Sequence, residues 1–413
     1  MARIIVISTG NELLYGTKVN TNAGVISFSL RRAGLDVNAH VTVGDDRISI
    51  TTAVREFLHG ADAVIMTGGL GPTDDDLTVE SLRDIFNYNT VVHEASMIKM
   101  RSFFGTIGKS VSDADIKMVL VPDNAIIIEN RRGFAPGFIL QHGGCSLIAL
   151  PGVPHEMEDM LHASVIPFLL KNYGRDERES VLLTLVGLKE SEINESIGTL
   201  RLDADKVTWG MTAEGGITRL YFSRKKNDGC DFDEMVRTCR RLFGEALLGK
   251  GFTEPEEELL QLLISKKYTI STAESCTGGL IAKRLTDVPG SSLAFKGGVV
   301  AYSNDVKESI LAVPGESLLR HGAVSEEVAA SMARGARNAM GSDIAVSTTG
   351  IAGPGGGSER KPVGMVCFGL DILGNITTWT RTLAGEREWI RRVSSIAAID
   401  MVRRILLREN GIS

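Results

Sequence analysis

Apolar residues recur in this chain as short continuous runs, separated by stretches with helical spacing. Ile4–Ser8, Val37–Val43 and Ala63–Thr67 are strand-like, whereas Thr21–Arg32 and Ile48–Leu58 place apolar residues three and four apart. Such alternation predicts a layered α/β domain around a mainly parallel sheet. A later strand, Leu147–Leu150, runs into Pro151-Gly152-Val153-Pro154 and a helix start. From about Arg175 to Leu248 the pattern changes. Val181–Val186 reads as a strand and Glu190–Leu200 as a helix. Thr208–Ala213 and Ile217–Ser223 flank the hairpin signal Glu214-Gly215-Gly216, and Phe232–Leu247 reads as a closing helix. This small α+β unit is KH-like in element order but lacks the GxxG clamp that grips RNA, so spacing or dimer contact is its expected role. Gly249–Pro255 is punctuated by Gly and Pro as a linker.

Beyond the linker the α/β pattern returns. A helix over Glu256–Lys266 precedes a strand at Tyr268–Thr272 and a helix from Leu280. A strand at Val299–Ser303 runs into a helix start at Asn304–Lys307. Ser325–Met340 reads as a helix and Ile344–Thr349 as a buried strand. Val363–Leu370 and Ile376–Leu383 are further strands, and a long helix starts at Glu386. Three domains follow: an α/β domain over 1–172, a connecting α+β domain over 173–250, and a second α/β domain over 255–413.

Length and charge agree with this division. At 413 residues the chain exceeds one ordinary core, and 43% hydrophobic with 23% charged residues is globular composition. The net charge of -6 argues against direct nucleic-acid binding. No apolar run approaches the roughly 18 residues of a membrane span, and the opening residues read as a first strand rather than a signal peptide. Cys145, Cys230, Cys239, Cys276 and Cys367 are odd in number and form no CxxC pair, which suits the cytoplasm and argues against zinc. Seven scattered histidines show no HxxxH spacing, so any metal is expected on oxygen ligands.

Candidate chemistry collects at the ends of strands. Thr272–Gly279 joins a strand to a helix, where unpaired N–H groups can stabilise an oxyanion or hold a phosphate. Ser275 there is either a nucleophile or a helix cap. A serine nucleophile needs a base, and His321, the domain's only histidine, lies far from these turns. Lys307 is the best candidate if burial lowers its pKa; otherwise it is an exposed helix residue. Arg387, near the start of the last helix, can pair with a phosphate. In the first domain, Gly68-Gly69-Leu70-Gly71-Pro72-Thr73 permits close backbone approach to a phosphate. The following Asp74-Asp75-Asp76 either holds a divalent cation or merely favours a helix N-terminus. Glu156 can reach the same cleft, while His155 reads as a helix-start residue.

These residues carry a resemblance. The chain resembles, end to end, the CinA family of competence/damage-inducible proteins. Gly10-Asn11-Glu12-Leu13-Leu14, Asn20-Thr21-Asn22-Ala23, Gly68–Thr73 with Asp75 and Asp76, and Pro151–Met157 are similar to the molybdopterin-binding (MoaB/Mog-like) fold. Thr272–Gly279, Ala301-Tyr302-Ser303-Asn304, Lys307, His321–Ser325, Thr349–Gly357 and Lys361–Gly364 resemble the nicotinamide mononucleotide deamidase domain. The resemblance implies that the last domain hydrolyses the carboxamide of nicotinamide mononucleotide without a cofactor. Ser275 would be the nucleophile and Lys307 its base, with Tyr302, Thr349 and Arg387 assisting. Glu274, Thr277, Gly278, Gly350, Gly353 and Gly355 are expected at the substrate. Cys276 is the alternative nucleophile. For the first domain it implies an ADP-ribose pyrophosphatase dependent on Mg, Mn or Co. Asp75 and Asp76 are the expected metal ligands, with Glu12 and Glu156 as lesser candidates. Gly68, Gly69, Gly71, Thr73 and Asn22 are expected at the substrate. Asn20 stands where many relatives have Asp. A homodimer is also implied. Two other readings stand beside these: a first domain that binds a pterin or nucleotide without turnover, and a non-enzymatic partner in competence or DNA repair.

Overall fold

The computed structural model describes residues 2–173, 178–200, 202–203, 206–225 and 232–409. Two compact units emerge, one built on Met1–Val181 with Ser223–Asp228, the other on Leu182–Phe222 with Gly229–Ser413.

The first unit is organised on a six-stranded sheet. Its order is Val37–Val43, Ile4–Thr9, Ala63–Thr67, Cys145–Leu150, Gly137–His142, Ile126–Ile128. The first four strands run parallel; Gly137–His142 returns antiparallel to them, and Ile126–Ile128 reverses direction again beside it. Successive side chains of a strand point to opposite faces, and here both faces are covered. Ile5, Ile7, Val64 and Met66 pack with Ile50 and Val54 of the helix Arg47–Leu58. Ile4, Val6 and Ile65 pack with Ile26 and Leu30 of the helix Thr21–Arg32. That is why these strands read as unbroken apolar runs. Asn20 and Asp46 cap the two helices, accepting from Ala23 N and Ser49 N. The Gly137–His142 strand joins its neighbour through Gly143 and Gly144, both at positive φ, as a tight hairpin requires.

The second unit contains a five-stranded sheet, ordered Phe295–Val300, Ile270–Glu274, Ile344–Gly350, Met365–Ile372, Asn375–Thr382. The first three strands are parallel. From the central Ile270–Glu274 the chain passes to the strand on one side, then crosses to the strand on the other. Crevices open at the carboxyl ends of strands where the winding reverses in this way. The strand expected at Val299–Ser303 ends at Val300, because the Ser303 hydroxyl instead accepts from Val306 N and caps the helix Asn304–Ser309.

Of the segment read as a connecting domain over 173–250, Leu182–Phe222 and the described residues 232–250 fall in this second unit. The segment's described residues form a three-stranded sheet, ordered Val207–Glu214, Ile217–Lys225, Arg178–Val186, with helices Glu190–Gly198 and Phe232–Phe243. Arg403 of the long helix Arg387–Arg408 is completely buried. It donates to Asp400 Oδ1, to Glu258 Oε2 at 2.8 Å, and to the Glu245 carbonyl. Arg404 donates to the Val186 carbonyl at 2.8 Å, and Arg392 to Glu214 at 2.6 Å. Among the described residues no helix is long and apolar enough to cross a membrane. Cys145, Cys239, Cys276 and Cys367 are buried free thiols, while Cys230 lies outside the described residues.

Removing the guanidinium at position 403 would leave Glu258 buried without an ion-pair partner among the described residues, while Asp400 would keep only Arg404. Arg403→Ala is therefore expected to destabilise the fold by about 3–5 kcal/mol, read as a lower denaturant midpoint in equilibrium unfolding. An unchanged midpoint would show that this network does not hold the segment.

Candidate active site

In the second unit the central strand Ile270–Glu274 ends in a turn that carries Ser275. Both backbone groups of Ser275 are fixed: its N–H donates to Thr348 O at 2.9 Å, and its carbonyl accepts from Gly278 N at 3.1 Å. Lys307 approaches from the neighbouring crossover. A long side chain in the first turns of a helix points back toward the helix start, so Lys307 reaches the strand end it has just left. Its Nζ donates to Ala301 O at 2.8 Å, to Tyr302 O at 3.5 Å and to Ser275 Oγ at 3.2 Å. Lys307 is 1% exposed and Ser275 9% exposed. Among the described residues no carboxylate forms an ion pair with this ammonium. Burial holds the Lys307 pKa below the ordinary lysine range, opposed by the neighbouring Cys276 thiol. With two carbonyls taking two N–H bonds, a neutral amine would turn its lone pair toward the serine hydroxyl.

The other expected residues divide into those at the site and those spent on its framework. Tyr302 is 63% exposed, and its hydroxyl accepts from Arg387 Nη2 at 2.9 Å. Arg387 Nη1 donates to the Gly353 carbonyl at 2.8 Å, tying the glycine loop to Tyr302. Glu274, expected at the substrate, is buried, and its carboxylate accepts from the N–H groups of Gly279, Ile281 and Ala282. It caps the helix Leu280–Asp287, so those N–H groups are not free for an oxyanion or phosphate. Thr277 is likewise buried, paired with the Thr348 hydroxyl at 2.7 Å. Thr349 donates to Ala323 O at 2.7 Å and Lys361 to His321 O and Val324 O at 2.6 Å. The His321–Ser325 segment therefore lies beside Thr349, closer than its place in the sequence implies, although the His321 ring pairs with Glu327 at 3.3 Å. Gly350 lies against Met365 and Val366 of the adjoining strand, and a side chain at Gly355 would meet open space. Cys276 is also buried, and burial pushes its thiol up to about 12, the wrong direction for a nucleophile.

In the first unit the ends of the parallel strands converge on their glycines. Gly68, at φ +108°, lies so close to Thr9 that a Cβ would sit 2.5 Å from its hydroxyl, and a Cβ on Gly152 would be 3.3 Å from Gly68 Cα. Asn22 Nδ2 donates to Thr67 Oγ1 and to Gly152 O, both at 2.9 Å. Its Oδ1 and the buried hydroxyls of Ser8 and Thr9 have no partner among the described residues. Gly69, Gly71, Asp76 and Lys117 border a small cleft of about 110 Å³. The Thr73 hydroxyl donates to Asp76 at 2.5 Å, and its proximity to Asp75 holds that carboxyl below the usual range. Asp45, absent from the sequence reading, takes the Asn11 N–H at 2.7 Å. Burial raises its pKa, and the nearby charges of Glu12, Asp75 and Asp76 raise it further. Glu156 does not join this group: its carboxylate accepts from Asn130 Nδ2 at 2.6 Å and lies over Gly133. Among the described residues no three carboxylate, imidazole or thiol groups converge to hold an ion. The acidic rim of Glu12, Asp45, Asp75 and Asp76 fits a cation shared with phosphate oxygens rather than one caged by protein.

Residues 253–406 match the family model described as CinA C-terminal domain, and residues 5–171 match that described as Probable molybdopterin binding domain. A CinA-like protein of Geobacter sulfurreducens is 40% identical over 410 residues, covering 98% of this chain and 99% of its own. A CinA-like protein of Dictyoglomus turgidum is 40% identical over 409 residues, with the same shares. Among solved structures, the competence/damage inducible protein CihA from Agrobacterium tumefaciens is 41% identical. It covers 38% of this chain and 99% of its own, with a TM-score of 0.35.

Burial of Lys307 has a pH signature. Between its lowered folded pKa and the unfolded value of about 10.4, the unfolded chain binds the extra proton, so stability gains as pH rises through that window. Thermal unfolding of wild type and Lys307→Met at several pH values is expected to show wild type gaining on the variant toward alkaline pH. A pH-independent difference would mean that the amine titrates as it does in water.

Proposed function

Because the chain belongs to the CinA family, we propose that it is a bifunctional hydrolase of pyridine nucleotides. Its second unit would deamidate nicotinamide mononucleotide, and its first would cleave the diphosphate of ADP-ribose. The observation that carries the proposal is the buried contact between Ser275 Oγ and the Lys307 amine, which has no counter-ion among the described residues.

The steps follow from that pair. Neutral Lys307 takes the Ser275 proton as Oγ attacks the carboxamide carbon. The resulting ammonium returns the proton to the leaving nitrogen, ammonia departs, and the nicotinoyl carbonyl is left as an ester on Ser275. Water then adds with Lys307 again as base, and the serine leaves with nicotinate mononucleotide as product. No cofactor enters these steps. Arg387, held between Gly353 and Tyr302, offers a guanidinium suited to the nucleotide's phosphate.

In the first unit, Glu12, Asp45, Asp75 and Asp76 would hold a divalent cation together with diphosphate oxygens. Bound there, Mg, Mn or Co supplies charge neutralisation and polarises the scissile phosphoryl group. The backbone at Gly68, Gly69 and Gly71 would approach the phosphates, and the unpartnered Asn22 Oδ1 would accept a donor from the ligand. The lack of a tight ligand cluster among the described residues favours a second reading of this unit, in which it binds a pterin or nucleotide without turnover. Calorimetry with a molybdopterin-like ligand against ADP-ribose separates the two.

Ser275→Ala is expected to abolish ammonia release from nicotinamide mononucleotide and leave ADP-ribose cleavage intact, with Lys307→Met slowing ammonia release by about 10²–10⁴-fold. Asp75→Ala is expected to do the converse, abolishing metal-dependent release of AMP alone. Equal ammonia release by wild type and Ser275→Ala would remove the serine from the reaction, and metal-independent cleavage would remove the acidic rim.

A further inference from the structure

We infer that Arg391 is a positioning residue for Ser275, one that fixes the nucleophile through the carbonyls of its turn. The inference rests on the amidase reading, since it concerns the same site. Arg391 lies one helical turn beyond Arg387, so the two guanidiniums project from the same side of the helix Arg387–Arg408. Arg387 goes to Gly353 and Tyr302. Arg391 instead donates from Nε to Cys276 O at 3.1 Å and from Nη2 to Thr277 O at 2.9 Å. These are the first two carbonyls after the nucleophile.

The turn is thereby gripped from both polarities. Glu274 takes the N–H of Gly279 and those of Ile281 and Ala282 in the helix that follows, and Arg391 takes two of the turn's carbonyls. Gly278 makes room for this grip: it sits at φ +59°, and a Cβ there would lie 3.1 Å from Arg391 Nη2. With the N–H and carbonyl of Ser275 also bonded, only its χ1 rotation is left, and Lys307 selects that. A planar guanidinium is suited to two neighbouring carbonyls; a lysine ammonium carries the same charge but cannot reproduce the fork. No acidic side chain pairs with Arg391 among the described residues, so its charge is directed at the turn. The adjacent Arg392 differs, since it pairs with Glu214.

A misplacement of about 1 Å in a reacting group can slow a reaction about 10²-fold. Arg391→Lys is therefore expected to lower kcat for nicotinamide mononucleotide by about 10²-fold with KM little changed. Gly278→Ala, which pushes the guanidinium away from the opposite side, is expected to do the same. Arg392→Ala, which removes only the pair to Glu214, is expected to keep wild-type kcat. Crystal structures of wild type and Arg391→Lys supply a readout that needs no substrate: the distance from Ser275 Oγ to Lys307 Nζ is expected to lengthen beyond hydrogen-bond range in the variant. A rise in KM alone would assign Arg391 to substrate binding and overturn the inference. So would an unchanged kcat, or an unchanged Ser275–Lys307 distance. Should wild type itself release no ammonia, the amidase reading falls while the two crystal structures still decide the positioning role.

Discussion

An ammonium group removed from water without a counter-ion is costly, and among the described residues Lys307 has none. Burial disfavours its charged form, and neutral carbonyls supply its hydrogen bonds. The surrounding architecture explains how this is sustained. The carbonyls of Ala301 and Tyr302 are available because the strand stops at Val300. Ser303 then caps a new helix that carries Lys307 back over the strand end. A surface lysine would pair with solvent or a carboxylate; placed here, its amine faces the Ser275 hydroxyl.

The two units share one topological device and line it with different side chains. In each, a central strand has a parallel neighbour on either side, and chemistry-bearing residues gather where the winding reverses. In the first unit that edge is lined by glycine backbone and carboxylates, which suits phosphates and a cation. In the second it presents a hydroxyl and an amine, with guanidiniums close by. The fold thus supplies a place, and the side chains at strand ends supply the reaction class. The middle segment, whose described residues carry no comparable constellation, is bonded to the long helix through Arg392, Arg403 and Arg404.

Strands such as Ile4–Thr9, Ala63–Thr67 and Cys145–Leu150 are legible in the sequence because they are buried on both faces and appear as apolar runs. The juxtaposition of Ser275 and Lys307 was anticipated from strand-end positions together with family resemblance. Periodicity alone favoured an exposed lysine, because spacing does not report that a helix doubles back over a strand end. The framework roles of Glu274, Thr277 and Arg391 were hidden for a related reason: a carboxylate beside a glycine-rich turn looks the same whether it faces a ligand or caps the next helix. Asp45 follows a half-buried strand, and nothing local marks it as a neighbour of Asp75. The Gly137–His142 strand has a legible signal in Gly143-Gly144, the tight turn to its antiparallel neighbour. The bond from Asn130 to Glu156 spans 26 residues of sequence, and spacing does not reveal it.

The most direct test of the Ser275–Lys307 account is to stop the reaction with nicotinamide mononucleotide by rapid acid quench in the first turnover and map the acylated peptide by mass spectrometry. The account predicts an ester of the nucleotide's nicotinoyl carbonyl on Ser275, forming with the burst of ammonia and absent from Ser275→Ala. An acyl group on Cys276, or an ammonia burst with no adduct at Ser275, would contradict it.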